Sequence, residues 1–291
     1  MIRFLLLPLL AALAWPQAVE SRLKIHFTTA AISEAQLASR EALPTPGIVS
    51  RAGVASPTRS PWIDANGWRI TRKPAAKYRY DLAPGKAILA AAEAFAYGAD
   101  ALLKIDPGDA ANLGGLLTFL ESLPPSDLPP IADLAVVEDG APVTGELMNL
   151  LSRRNLLYAI VKGHDARFRI NIAVGTPAYP AADAADPSAF ALKIRRQLTD
   201  ERRSLRIYGS EVVIGRLTGN DRQARLHLIN YGGREIEGLR VRLRGGYRRG
   251  AAYIPGTGRA DLIDHVVSDD GTEFTLPRLG VYAVVDLDAN R

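Results

Sequence analysis

The sequence contains no cysteine among its 291 residues. Disulfide bonds, thiolate nucleophiles and cysteine-ligated zinc or iron–sulfur sites are therefore excluded within this chain. The four histidines, His26, His164, His227 and His265, are scattered, and no two of them have the spacing of metal ligands. We therefore predict neither a metal site nor a cofactor.

Several motifs of common enzyme and nucleic-acid-binding classes are also missing. There is no G-x-S-x-G elbow, no P-loop and no RNA-binding aromatic-basic signature, and Gly256-Thr257-Gly258 lacks the third glycine of a dinucleotide fingerprint. The net charge is +5, but acidic and basic residues are interleaved. This pattern indicates an arginine-rich surface and no nucleic-acid partner. Binding of an acidic polymer is disfavoured because the arginines are spread through the C-terminal part.

Long hydrophobic runs are absent beyond the N-terminus. Residues 1–3 carry a positive charge, 4–14 form an apolar run, and small residues up to Ala18 offer cleavage positions. This pattern predicts a secretory signal over residues 1–18, with an uncleaved anchor as the alternative. We therefore expect a secreted or periplasmic protein with no membrane span after signal cleavage.

Hydrophobic periodicity divides the rest of the chain into two α/β regions. Proline pairs at 124–125 and 129–130 separate an α/β region over 19–125 from a βαβ flavodoxin-like region over 126–205, and the α/β layers are predicted to be flavodoxin-like or those of a partial barrel. The first has predicted strands at 23–27 and 101–105 and helices at 32–43, at 86–97 and near Asp109. The second has predicted strands at 131–137 and 168–174 and helices at 145–157 and 188–205.

Residues 206–291 show the pattern of an antiparallel β-sandwich. Short predicted strands at 211–217, 224–230, 239–244, 273–276 and 281–287 are separated by glycine-rich turns. Alternation predicts that Leu239, Val241 and Leu243 face the core, that Arg240, Arg242 and Arg244 face outward, and that His227 lies at the surface or an edge.

One segment combines aromatic and polar side chains in the way that sugar sites do. Trp62, Asp64, Asn66 and Trp68 lie within seven residues. Indole faces stack on pyranose C–H groups, and acid and amide groups bond sugar hydroxyls. Because Asn66-Gly67 suggests a tight turn, we expect the segment to lie on a loop. The alternative is that both tryptophans fill the core and Asp64 is a turn residue.

Carboxylates follow two of the predicted strands. Asp106 comes after one strand and Glu138-Asp139 after another, where ligands gather in α/β folds. A carboxylate pair there could serve as acid and base on a glycosidic bond, and Asp64 with Asp106 is the candidate catalytic pair. The alternative is that these groups cap helices.

The C-terminal two thirds of the chain resembles multidomain glycoside hydrolases. Segments 225–231, 238–245 and 279–287 resemble their terminal β-sandwich. Residues 131–174 resemble the flavodoxin-like or amidotransferase-like middle domain of β-galactosidase-type enzymes, and 93–106 resemble the last helix and strand of a barrel.

The resemblance implies a carbohydrate context without transferring an activity. A complete (β/α)₈ barrel takes at least about 200 residues, and far fewer precede residue 131. No catalytic residue of the family can be assigned, and the nucleophilic cysteine of amidotransferases is missing. We predict an exported protein that binds or hydrolyses a glycan; the alternative is a non-catalytic scaffold of the cell envelope. The oligomeric state stays open.

Overall fold

The computed structural model describes residues 23–49 and 62–289. The predicted signal at 1–18 and residues 50–61 of the segment around the candidate site lie outside this part. An N-terminal α/β portion is followed by antiparallel sheets, which confirms the predicted fold class.

The first portion is built on a four-stranded parallel sheet and a small hairpin. The sheet has the order β1-β6-β5-β2, and β3 pairs antiparallel with β4. The elements are β1 (Ile25–Thr28), α1 (Glu34–Ala38), β2 (Glu41–Leu43), β3 (Gly47–Val49), β4 (Trp62–Asp64), α2 (Gly67–Arg72), β5 (Lys77–Asp81), α3 (Ala87–Ala96), β6 (Asp100–Lys104), a 3₁₀ turn (Pro107–Asp109) and α4 (Ala110–Ser122).

The middle portion contains the predicted βαβ unit. Its parallel sheet has the order β8-β7-β9, and α5 connects the first two strands in the chain. The elements are β7 (Leu134–Val137), α5 (Pro142–Arg153), β8 (Tyr158–Val161), β9 (Asn171–Ile172), α6 (Ala181–Ala184) and α7 (Pro187–Leu198).

The C-terminal portion consists of two antiparallel sheets that share one core. Their orders are β10-β13-β17-β16 and β11-β12-β18-β14-β15. The strands are β10 (Leu205–Ile207), β11 (Val213–Gly219), β12 (Gln223–Asn230), β13 (Ile236–Arg244), β14 (Arg249–Ile254), β15 (Gly258–Ala260), β16 (Ile263–Val267), β17 (Gly271–Leu279) and β18 (Tyr282–Asp288).

Helix α3 joins the first portion to the sandwich. Its alanines are buried, and one apolar core runs from the first parallel sheet through α3 to residues of β11, β12 and β18. Small side chains allow close approach on both faces of a helix. The β11-β12-β18 face that turns away from the sandwich core is therefore covered by α3.

This covering overturns the prediction that His227 lies at the surface. The side chain faces away from Leu226 and Leu228, as the alternation requires, but it packs against Phe95 of α3 and is buried. The prediction for β13 was also wrong at one position. Leu239, Val241 and Leu243 face the core, whereas Arg242 is buried beside Asp270 instead of facing solvent.

Two helix predictions need correction, and several elements were not predicted. The helix expected at 32–43 ends at Ala38, because Glu41–Leu43 pairs with β5 as an edge strand. The helix expected at 188–205 ends at Leu198, and Thr199 has a φ of 60° that a helix cannot continue. The elements that were not predicted are the strands β3, β4, β5, β8, β10, β14, β15 and β16 and the short helices α2 and α6. Among the described residues, no helix has the length and apolarity needed to cross a membrane.

Candidate functional site

The segment with the two predicted glycan-binding tryptophans forms a strand-to-helix junction. Strand β4 ends at Asp64, which pairs with Gly47, and α2 begins at Gly67. The expected tight turn at Asn66-Gly67 is therefore wrong. The Tyr97 ring leaves no room for a side chain at Gly67, because a Cβ atom there would lie 2.1 Å from Cζ of Tyr97 unless the ring or the helix moved.

Asn66 is fully buried at this junction. Its backbone N–H donates to Glu93 Oε1 at 2.6 Å, and its side-chain amide donates to Glu93 Oε2 and to the Pro44 carbonyl, both at 3.0 Å. The amide thereby ties the start of α2 to α3 and to the end of β2. In this conformation the Asn66 side chain faces protein atoms.

Trp68 is also largely inside the protein. Only 8% of its surface is exposed, and the indole packs with the apolar residues of the middle portion. The Arg69 guanidinium lies 4.3 Å from the ring centroid, and a Cβ added at Gly145 would lie 2.8 Å from the ring atom Cζ3. Stacking on a sugar needs an open ring face, which Trp68 lacks in this conformation.

Trp62 and Asp64 are the partly exposed members of the predicted site. Trp62 packs one side against the middle core, and the Arg153 guanidinium lies 4.0 Å from its ring centroid. Asp64 is half-buried at the other end of β4. The structure therefore leaves one indole and one carboxylate at the surface.

Beneath this surface lies a buried carboxylate that the sequence analysis did not single out. Glu93 accepts four hydrogen bonds, two on each oxygen: two from Asn66, one from the Tyr80 hydroxyl at 3.0 Å and one from the Tyr231 hydroxyl at 2.8 Å. Burial raises the pKa of Glu93, and the four donors act against that shift. A lone glutamate inside the alanine-rich helix was the available signal.

The carboxylates at the ends of the parallel strands have local partners. Asp106 Oδ1 accepts from the backbone N–H of Gly108 at 2.8 Å and caps the 3₁₀ turn. Asp109 accepts from the backbone N–H of Gly85. Asp139 accepts from the Thr144 hydroxyl and from the backbone N–H of Ala141.

Glu138 is paired with an arginine from α2. Arg72 Nε donates to Glu138 Oε2 at 2.6 Å, and Arg72 Nη2 donates to the other carboxylate oxygen. These bonds lower the pKa of Glu138. A carboxylate held in its charged form by a bidentate arginine is a poor proton donor, so this group is unsuited to the role of general acid.

The strand-end position of Asp106 and of Glu138-Asp139 was predicted correctly, and so was the capping alternative for Asp106. Their catalytic use stays a prediction, as does the pairing of Asp64 with Asp106. In residues 23–49 and 62–289, no three histidine, aspartate or glutamate side chains group in a way that could hold a metal ion.

Neither a protein-family model nor a curated protein sequence matches this chain. Solved structures do match. An α-L-fucosidase isoenzyme from Paenibacillus thiaminolyticus has a TM-score of 0.56 at 10% identity, over 74% of this chain and 60% of that one.

Two further solved structures are similar at lower scores. A rhamnosidase from Novosphingobium sp. PP1Y has a TM-score of 0.47 at 10% identity, over 74% of this chain and 31% of that one. A GH42 β-galactosidase from G. stearothermophilus has a TM-score of 0.43 at 9% identity, over 85% and 53%.

This chain therefore spans about 60% of the length of the fucosidase that it matches. The match supports the resemblance drawn from the sequence at the level of the fold: the chain has a glycoside hydrolase-like fold at distant identity.

Proposed function

We propose that this protein binds a glycan and does not hydrolyse it. The observation that carries the proposal is that the carboxylates at and after the strand ends are already bonded to neighbouring groups of the protein. Asp106, Asp109, Glu138 and Asp139 each accept hydrogen bonds from a neighbouring backbone group or side chain, in a fold similar to that of glycoside hydrolases.

Hydrolysis of a glycosidic bond requires two carboxyl groups about 5–9.5 Å apart, one of them with a raised pKa. Burial raises the pKa of Glu93 and of Asp133. Glu93, however, has no exposed surface, and Asp133 accepts from the Ser204 hydroxyl and backbone N–H. Neither carboxyl group is presented to an open strand end as a free acid.

Trp62 and Asp64 form the proposed contact surface. A pyranose ring would stack on the indole in place of the Arg153 guanidinium, which lies 4.0 Å from the Trp62 ring centroid, and the Asp64 carboxylate would accept from sugar hydroxyls. Asn66 and Trp68 support this surface from inside the protein. Asn66 fixes the chain after β4 to Glu93, and Trp68 anchors α2 in the middle core.

A glycan array probed with Trp62→Ala tests this surface. We expect the wild type to bind and the variant to lose most of that binding. Tyr208→Ala is the matched control, because Tyr208 is another half-buried aromatic residue next to arginine side chains, those of Arg206 and Arg240. Equal binding by the wild type and Trp62→Ala would contradict the proposed surface.

The competing hydrolase mechanism assigns acid and base roles to Asp64 and Asp106. It requires turnover of a glycan by the wild type and its loss in Asp64→Asn and in Asp106→Asn. A folded protein that binds no glycan and cleaves none would instead favour the scaffold function, with a component of the cell envelope as partner.

We also propose that the protein is exported, on the basis of the residue pattern at 1–18. Expression of the full chain, followed by fractionation and N-terminal sequencing, tests this. Export with removal of the first 18 residues or so is expected. Retention of an intact N-terminus in the cytoplasm would contradict export, and retention in the membrane would indicate the uncleaved anchor.

A further inference from the structure

Arginine side chains from separate parts of the chain meet where the middle portion adjoins the sandwich. Arg167 and Arg169 precede β9, Arg202 follows α7, and Arg244 ends β13. All four line one cavity of about 210 Å³, and we call this cavity with its neighbour the arginine groove.

The neighbouring cavity extends the groove along the end of the sandwich. It has a volume of about 390 Å³, and Arg244 borders both cavities. Asn220 and Tyr247 line the second cavity, and Phe168 and Gln197 line the first. Together the two cavities reach the size range of small-molecule sites.

The groove has more positive than negative charge. Arg167 pairs with Asp165, whereas Arg169, Arg202 and Arg244 form no salt bridge with any carboxylate of the described residues. Asp133 at the wall accepts hydrogen bonds from Ser204. Burial raises the pKa of Asp133, and the Ser204 bonds and the charges of Arg244 and Arg203 act against that shift. Asp221 is the other acid in the lining of the groove.

The arrangement also holds arginines close to each other. Arg244 Nη1 donates to the backbone carbonyl of Arg202 at 3.3 Å, so the two residues are neighbours in the folded chain although 42 positions separate them. Like charges gathered in a concave site repel one another, and a bound anion relieves this repulsion. Arginines that are far apart in the sequence are therefore clustered in space.

We propose that the arginine groove binds an anionic saccharide, recognised through its carboxylate or sulfate groups. The planar guanidinium donates two parallel hydrogen bonds to a carboxylate or sulfate. Gln197 and Asn220 offer neutral groups suited to sugar hydroxyls, and Phe168 offers an aromatic side chain suited to sugar C–H groups. The choice of a saccharide over another polyanion rests on the proposed glycan-binding function.

The test measures binding of the full chain by calorimetry to four probes of similar length: an oligogalacturonide, its methyl ester, a sulfated oligosaccharide and oligothymidylate. We expect binding of the carboxylated or the sulfated probe, with an affinity that falls steeply as salt rises. The comparison of these two probes identifies the anionic group. The methyl ester should bind at least about tenfold more weakly, because it keeps the sugar but lacks the charge.

The double variant Arg202→Gln/Arg244→Gln should lose roughly tenfold or more in affinity and show a shallower salt dependence. Arg234→Gln/Arg259→Gln is the matched control, because it removes two exposed arginines outside the groove and lowers the net charge equally. Circular dichroism and thermal melting of both variants establish that they are folded.

Equal losses of affinity in the two double variants would contradict the groove proposal, because binding would then depend only on the net charge. Equal binding of oligothymidylate would overturn the saccharide assignment in favour of nucleic acid. If the wild type binds only neutral glycans and Trp62→Ala reduces that binding, the groove proposal is contradicted and the proposed Trp62 surface stands. If anionic saccharides bind and Trp62→Ala has no effect, the Trp62 surface fails and the groove proposal stands.

Discussion

At the scale of single residues, the buried carboxylate of Glu93 determines how the candidate site is held. Its four donors come from the residue before α2, from β5 and from the loop after β12, so one side chain connects three parts of the fold. A buried carboxylate is tolerated only when its oxygens are satisfied. The surface that carries Trp62 and Asp64 therefore depends on a carboxylate that is fully buried.

Glu93→Gln should lower the free energy of unfolding by about 2–4 kcal/mol, because an amide NH₂ would face groups that donate. Tyr231→Phe removes one donor and should cost about 1 kcal/mol. Urea denaturation at pH 7 measures both effects. Glu237→Gln, on the exposed part of β13, should change stability by less than about 0.5 kcal/mol. A Glu93→Gln protein as stable as this control would contradict the role of the network.

His227 makes stability depend on pH. Burial lowers its pKa to about 3, and Nδ1 shares a 2.6 Å hydrogen bond with the Tyr282 hydroxyl. Above pH 6.5 the side chain is neutral in both the folded and the unfolded chain. Below that value the unfolded chain takes up a proton that the folded chain refuses until about pH 3. The contribution of neutral His227 is therefore lost as the pH falls through this window.

Denaturation at pH 7.5 and at pH 5 should show the wild type losing about 2 kcal/mol more than His227→Gln, from about 1.4 kcal/mol per pH unit. His26→Gln, at an exposed position, should follow the wild type. If His227→Gln and the wild type lose the same free energy of unfolding between pH 7.5 and pH 5, His227 takes up a proton in the folded protein, which would contradict its burial.

The sequence could not reveal that His227 is buried, because alternation identifies opposite faces of a strand without saying what covers each face. Leu226 and Leu228 were correctly assigned to one side of β12, but α3 covers the other. Trp68 and Asn66 show the same limit. Their residue types suit a sugar site, whereas their burial depends on how α2 packs against Tyr97, Glu93 and α5.

At the scale of elements, helix α2 is positioned by a glycine. Gly67 lies so close to the Tyr97 ring that any side chain would force Tyr97 or the helix to move. Gly114 in α4 is the opposite case, since no atom beyond its own helix lies within 4 Å of an added Cβ. The two glycines therefore allow the same substitution to be compared with and without a close neighbour.

Gly67→Ala should destabilise the protein by roughly 1–3 kcal/mol, the usual cost of overpacking. Gly114→Ala should stabilise it by about 0.5–1 kcal/mol, because alanine favours a helix interior. Thermal melting measures both changes. The same sign of shift in the two variants would contradict the packing of α2 on Tyr97.

Element prediction succeeded where local signals agree with tertiary packing. The helix predicted at 86–97 is Ala87–Ala96, and Gly98 follows it with a φ of 67°. It failed where pairing with a distant strand decides the conformation. Glu41–Leu43 carries a helical pattern but is a strand, because β5 offers a parallel edge to pair with.

At the scale of the whole molecule, the first core continues from the parallel sheet into the sandwich through α3. Tyr231, in the loop after β12, reaches Glu93 across the same boundary. The surface around Trp62 and the arginine groove are both built from segments that are distant in the sequence. The domain boundaries at residues 18, 125 and 205 stay predictions.

The fold class could be predicted because periodicity, turns and the glycoside hydrolase-like segments all indicated the same layers. The arginine groove could not, because its members lie on the loop before β9, the loop after α7 and the end of β13. Each arginine viewed along the chain resembles an ordinary exposed residue. Only the packing of the middle portion on the sandwich gathers them.

The central claim is that this chain binds glycans without cleaving them. Its most direct test is to incubate the purified full chain with a mixed glycan library and analyse the retained and the free fractions by mass spectrometry. We expect selective retention of intact glycans and no new reducing ends. Cleavage products that disappear in Asp64→Asn or Asp106→Asn would contradict the claim and establish a hydrolase.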